Sequence, residues 1–184
     1  MERRLLTREE CTLSSGYTDN ACRANRAPLQ LVNLPGTSII EGIESELGFR
    51  LTHQLTLRLG FAYAIGNGDH PDPNEDARMP LSRIPPLNDT GELIWRRHGL
   101  QITLASRWAT SQERLSVGDM VDARIPIGGT PGYRVFDLRL GLRLSNRSYL
   151  NAVLENLTDK RYRSHGSGVY GAGRSLNMQL SLDY

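Results

Sequence analysis

The feature that most constrains this chain is a strict two-residue alternation across its C-terminal stretch, residues 133–184. Tyr133–Ser145 sets Phe136, Leu138, Leu140, Leu142 and Leu144 on one face and Asp137, Arg139, Gly141 and Arg143 on the other. Gly173–Tyr184 repeats the pattern, with Leu176, Met178, Leu180, Leu182 and Tyr184 against Asn177, Gln179, Ser181 and Asp183. Successive side chains of a strand point to opposite faces, so this period specifies two-faced β-strands. The apolar face must then meet either a protein core or lipid.

The totals narrow the field. One domain of ordinary size fits 184 residues. The net charge of +2 is too small to imply a nucleic-acid partner, and the arginines are scattered rather than gathered in a basic run. No apolar run has the length of a transmembrane helix. A β-barrel stays open, because a spanning strand needs only about 10 residues with every second one apolar. The opening segment, Met1 to Glu10, lacks the apolar centre of a signal peptide. Either the chain is cytosolic or Met1 is not the start of the natural protein.

Taken in order, residues 1–37 carry no sustained period and read as a long loop of extracellular type, with a short extended piece at Leu29–Leu34. Residues 38–184 hold seven strands: Ile39–Leu51, Leu55–Ile65, Asn88–Arg96, Leu100–Trp108, Tyr133–Ser145, Ser148–Leu157 and Gly173–Tyr184. Ile94 and Val153 interrupt otherwise polar faces. Connections alternate between short (52–54, 97–99, 146–147) and long (66–87, 110–132, 159–172). In an antiparallel meander this puts every short turn at one end and every long loop at the other, the sidedness of an outer-membrane barrel.

Alternation by itself also suits a soluble β-sandwich. Strand length separates the two. Soluble strands average about 5–6 residues, whereas eleven residues at roughly 3.3 Å rise and about 40° tilt span about 27 Å, close to the apolar band of a barrel. Aromatics near strand ends (Phe49, Tyr63, Trp95, Trp108, Phe136, Tyr149, Tyr184) fit interfacial girdles. Charges of both signs lie mid-strand on the polar faces, at Glu44, Glu46, Arg58, Arg107, Asp137, Arg139, Arg143 and Glu155. They suit a wet lumen or a solvated outer face equally. An odd count of seven would leave two unpaired edges in hydrocarbon, which points to the C-terminal part of a larger barrel.

Several motifs then resemble one family. Asn156-Leu157-Thr158-Asp159-Lys160-Arg161-Tyr162, Gly171-Ala172-Gly173-Arg174 and a closing strand with a terminal aromatic are similar to the C-terminal signature of TonB-dependent outer-membrane receptors. Asn33-Leu34 followed by Ile40-Glu41-Gly42-Ile43-Glu44, Ile84-Pro85-Pro86, and Thr130-Pro131-Gly132-Tyr133 with Phe136-Asp137 resemble further segments of that family. The resemblance implies a barrel of about 22 strands closed by an N-terminal plug. It also implies residence in the bacterial outer membrane and energy-coupled uptake of a scarce ligand, a ferric siderophore or haem. The implied partners are outer-membrane lipid, the rest of the barrel and its plug, the TonB complex acting through that plug, and the iron chelate. No plug is present, so the chain alone is not expected to transport. A soluble β-sandwich binding module and a small passive barrel are the alternatives.

By the same resemblance, Asn156, Asp159, Tyr162, Gly173 and Arg174 form the family motif, and Tyr184 stands where the assembly machinery reads a terminal aromatic. His70, Asp72, His165 and Tyr170 fall in loops on the ligand-facing side. Asp69-His70-Pro71-Asp72 with Glu75 and Asp76 offers oxygen ligands and an imidazole, but lacks the glycine and glutamate of a calcium loop. No metal site or cofactor is expected. Cys11 and Cys22 either close a small disulfide loop or stay unlinked thiols. No nucleophile elbow or other catalytic setting surrounds a serine, so no enzyme is expected.

Overall fold

The computed structural model describes residues 2–5, 29–34, 36–70 and 78–183. Cys11, Cys22, Asp72, Glu75, Asp76 and Tyr184 lie outside them. The strands are β1 (Glu2–Leu5), β2 (Leu29–Val32), β3 (Ile39–Arg50), β4 (Leu55–Asp69), β5 (Arg78–Pro80), β6 (Asn88–Arg97), β7 (Leu100–Ala109), β8 (Tyr133–Ser145), β9 (Ser148–Glu155) and β10 (Ser175–Leu182). Among the described residues one short helix, α1, covers Val117–Met120.

All seven long strands read from the periodicity are present. They form one antiparallel sheet in the order β10-β9-β8-β7-β6-β4-β3, with β5 added beside β4. The fold is an all-β, up-and-down meander, as the alternation of short and long connections requires. Three boundaries differ from the sequence reading. β4 continues to Asp69, because its last residues pair with β5 (Asn67↔Pro80, Gly68↔Met79, Asp69↔Arg78). β9 stops at Glu155, since Asn156 adopts a positive φ of 48° that ends extended backbone. β10 begins only at Ser175. In the N-terminal region the extended piece is β2, and it pairs with β1, a strand that the reading of a bare loop missed.

The chain divides into two compact units. The first comprises Met1–Glu41, Ile65–Ile84 and Arg114–Ala123. Its described interior is a polar clamp around α1. Ser116 Oγ accepts from Asp119 N at 3.0 Å, and Ser116 N donates to Asp119 Oδ2 at 3.2 Å, a reciprocal capping box. Arg83 pairs with Asp119 and Asp122, both buried. Arg114 donates to the Gly66 carbonyl at 3.0 Å and to Asn67.

The second unit comprises Gly42–Ala64, Pro85–Glu113 and Arg124–Tyr184 and holds most of the sheet. Register aligns its apolar residues into continuous rows across the strands. One row runs Leu57, Leu93, Leu104, Leu138, Leu154, Leu176, and the next Leu55, Trp95, Ile102, Leu140, Ala152, Met178. The opposite face aligns Ile94, Thr103, Arg139, Val153 and Asn177. Burial is inverted relative to a soluble sheet. Ile94, Ala105, Val135 and Asp137, all on the polar face, are 2%, 2%, 0% and 4% exposed, whereas Leu104, Leu138 and Met178 on the apolar face are 43%, 40% and 65% exposed.

The turns follow from local chemistry. β6 and β7 are joined through His98 and Gly99, with φ of 46° and 81°, the paired positive values of a type I′ hairpin. At the β3–β4 turn, Thr52 Oγ1 accepts from Gln54 N at 3.2 Å and Leu55 N at 3.0 Å.

Candidate functional site

The long connection between β9 and β10, residues 156–174, is built around one buried asparagine. Asn156 is 1% exposed. Its Nδ2 donates to the carbonyls of Lys160 at 2.9 Å and Ala172 at 3.0 Å, and its Oδ1 accepts from Lys160 N at 2.9 Å. Its backbone N donates to Asp137 Oδ1 at 2.9 Å. Asparagine tolerates positive φ better than most residues and carries both a donor and an acceptor at its tip, so one residue turns the chain and ties both ends of the loop. Asp159, also at positive φ (51°), accepts from Arg174 N through Oδ1 at 2.8 Å. The Tyr162 ring lies 4.7 Å from that of Tyr133, and a β-carbon on Gly171 would run into it. The structure therefore brings Asn156, Asp159, Tyr162, Gly173 and Arg174 together as a frame that shapes the loop.

On this frame sits a group of cations and aromatics. The guanidinium carbons of Arg161 and Arg163 lie 4.0 and 4.4 Å from the ring centroid of Tyr170, which is itself exposed. Arg163 Nη1 donates to the Arg124 carbonyl at 3.0 Å. His165 Nδ1 shares a 3.0 Å hydrogen bond with Thr130 Oγ1. Residues 156–174 carry Lys160, Arg161, Arg163 and Arg174 against one acid, Asp159, so the loop presents net positive charge. Of the loop residues singled out from the sequence, His165 and Tyr170 share this connection. His70 belongs to the first unit and is half-buried.

The polar face of the sheet carries a charge network. Arg139 Nη1 donates to Glu92 Oε1 at 2.8 Å, and Arg107 Nη2 to Asp137 Oδ2 at 3.3 Å, with Arg139 Nη2 4.0 Å from the same oxygen. Asp137 is thus a hub that joins this network to the Asn156 frame. Sequence reasoning placed Asp137 and Arg139 on the polar face but not at that junction. It missed Thr130 and Arg124 as loop partners, and it missed α1. The pattern Ser116-Val117-Gly118-Asp119 was the available signal, a serine followed three residues later by a carboxylate.

No family model matches the chain, and no curated protein matches it. Solved structures do. The chain is 23% identical to the copper transporter OprC with a TM-score of 0.72, covering 88% of this chain and 25% of that one. It is 18% identical to the FrpB iron transporter from Neisseria meningitidis (TM-score 0.63, 79% and 24% covered). It is 21% identical to the ferric enterobactin receptor PfeA from Pseudomonas aeruginosa (TM-score 0.59, 79% and 22% covered). The chain shares the fold of the matched segment of these proteins. It spans about a quarter of the length of each of these three proteins.

Proposed function

We propose that this chain is part of the wall of an outer-membrane receptor barrel that takes up a scarce metal chelate, a ferric siderophore or haem, by energy coupled through a plug and the TonB complex. The observation that carries the reading is the inverted burial of the sheet. Rows of leucine, isoleucine and methionine stand exposed along strands of membrane-spanning length, while Ile94, Thr103, Ala105, Val135 and Asp137 are buried on the other face. In water such a face would strongly favour association or aggregation. In a bilayer it is the ordinary outer surface of a barrel, with polar residues toward the lumen. The positive loop 156–174, with Tyr170 between two guanidinium groups, suits an anionic, aromatic-rich chelate. The solved structures of like fold include a copper transporter, an iron transporter and a ferric enterobactin receptor, which supports a metal-bearing ligand.

The test compares two substitutions in the natural full-length product. Leu140 lies in an apolar row between Ile102 and Ala152. Leu140→Arg should impair membrane insertion, costing about 2–4 kcal/mol near the bilayer midplane. Gln179→Leu, on the opposite face, should leave the heat-modifiable folded band intact. Equal behaviour of the two variants would overturn the assignment of faces, and soluble monomeric expression without detergent would favour a sandwich. Uptake of small solutes with no energy source would favour a passive barrel.

A further inference from the structure

The apolar face of the sheet ends differently at its two borders. At the short-turn end, the row across β6, β7 and β8 is Arg97, Leu100, Leu142. At the long-loop end the row is Asp89, Trp108, Arg134. Leu100 and Trp108 are eight positions apart on one strand, which at about 3.3 Å rise and roughly 40° tilt is about 20 Å of membrane depth. Trp108 and Arg134 therefore stand at the boundary where acyl chains give way to headgroups.

Four observations make this border a site rather than a rim. Trp108, Tyr133, Arg134 and Lys160 line one open cavity of about 460 Å3. The guanidinium of Arg134 lies 5.9 Å from the Trp108 ring centroid, so its charge sits over an apolar floor. Lys160 is fixed in place by the two hydrogen bonds that its backbone makes with the Asn156 side chain. Neither Arg134 nor Lys160 has a carboxylate partner among the described residues, in contrast to Arg83, Arg107 and Arg139. The acid in the row, Asp89, lies across Trp108 from Arg134 and accepts from the indole Nε1 at 3.1 Å. Asp89 thereby orients the tryptophan, while Arg134 and Lys160 line the cavity.

We propose that Arg134, Lys160 and Trp108 form a binding site for the phosphate-bearing headgroup of an outer-leaflet lipid, with the acyl chains lying on the exposed rows below. Phosphate is the anion the geometry favours, because two cations lining one cavity suit a multiply charged group and the adjoining surface is apolar. This inference rests on the lipid-facing assignment of the apolar rows made above.

The experiment reconstitutes the natural full-length product in phosphatidylcholine vesicles carrying a small fraction of diphosphorylated lipid A, then extracts it and measures retained lipid by native mass spectrometry. The diphosphorylated lipid should be retained and its dephosphorylated form should not. Excess inorganic phosphate should fail to displace it, which separates a lipid site from a free-phosphate site. Retention should fall roughly tenfold or more in R134E/K160E, and stay unchanged in R147E, at the opposite end of the sheet. Wild-type retention by the double variant, equal retention of the dephosphorylated lipid, or displacement by inorganic phosphate would each overturn the proposal. If charge reversal prevents folding, R134Q/K160Q and the salt dependence of wild-type retention replace it; retention that ignores both charge loss and salt counts against the site. A protein that enters vesicles with a heat-modifiable band but holds no lipid defeats this proposal alone, whereas a protein that never inserts defeats the barrel reading as well.

Discussion

Arg139 on β8 reaches across β7 to donate to Glu92 on β6 at 2.8 Å. The residue beneath that span is Ala105, which pairs with both Glu92 and Asp137 and has no bulk to block the way. Both partners are partly exposed, at 42% and 28%, so the pair is worth about 0.2–1 kcal/mol. A double-mutant cycle with Glu92→Gln and Arg139→Gln should return a coupling in that range by urea unfolding in detergent. Ala105→Leu should weaken the pair by filling the space it crosses, and coupling unchanged in that background would refute the bridging geometry.

Asn156 makes a sharper prediction. Asn156→Ala removes three side-chain hydrogen bonds at a buried position and places a less tolerant residue at positive φ. The cost should be about 3 kcal/mol. Asn156→Gly relieves the backbone but not the lost bonds, so it should recover only about 1 kcal/mol. Limited proteolysis should show early cleavage within 157–172 in both variants. An uncleaved loop would mean that the frame does not depend on this side chain.

The β6–β7 hairpin offers a test of turn chemistry. Gly99 has a φ of 81°, and a β-carbon there would approach Arg143 Cβ to 3.3 Å. Gly99→Val should destabilise by about 1–2 kcal/mol, while His98→Asn should be neutral or slightly stabilising, since asparagine favours the first position of a type I′ turn. Thermal midpoints of the two variants should move in opposite directions or differ clearly in size.

In the first unit, Ser116→Ala removes a cap whose partner, Asp119, is also held by Arg83. The expected loss is about 1–2 kcal/mol. It should appear as faster amide exchange confined to 114–123, with β7 and β8 unaffected. Exchange that accelerates across the sheet would show that the clamp is not a local feature.

Much of the fold was legible because the barrel strand is a local pattern. Phe136 to Leu144 and Leu176 to Leu182 announce their faces two residues at a time, and His98-Gly99 and Asn146-Arg147 punctuate them. The seven long strands and their order followed from this. What escaped lacks a period. β1 is four residues and gains definition only by pairing with β2. β5 is three residues, recruited by the end of β4. The Ile94 side chain looked like a defect in a polar face, yet it is 2% exposed, buried on that face beside Thr103. For the site, the motif around Asn156 was visible as a resemblance, but its physical role depended on Asp137 and Ala172, distant in sequence, meeting the same residue, Asp137 at its backbone N–H and Ala172 at its side chain.

The order of strands in the sheet has a consequence for how the chain is put together. Each long strand lies beside the long strand that precedes it in sequence, and the longest stretch between two such partners is the segment from Ala109 to Tyr133. Within this sheet no long strand has to find a partner remote in sequence. The polypeptide can be laid down like a zipper, each hairpin satisfying its backbone on the edge left by the last, so the search stays short however wide the finished wall becomes.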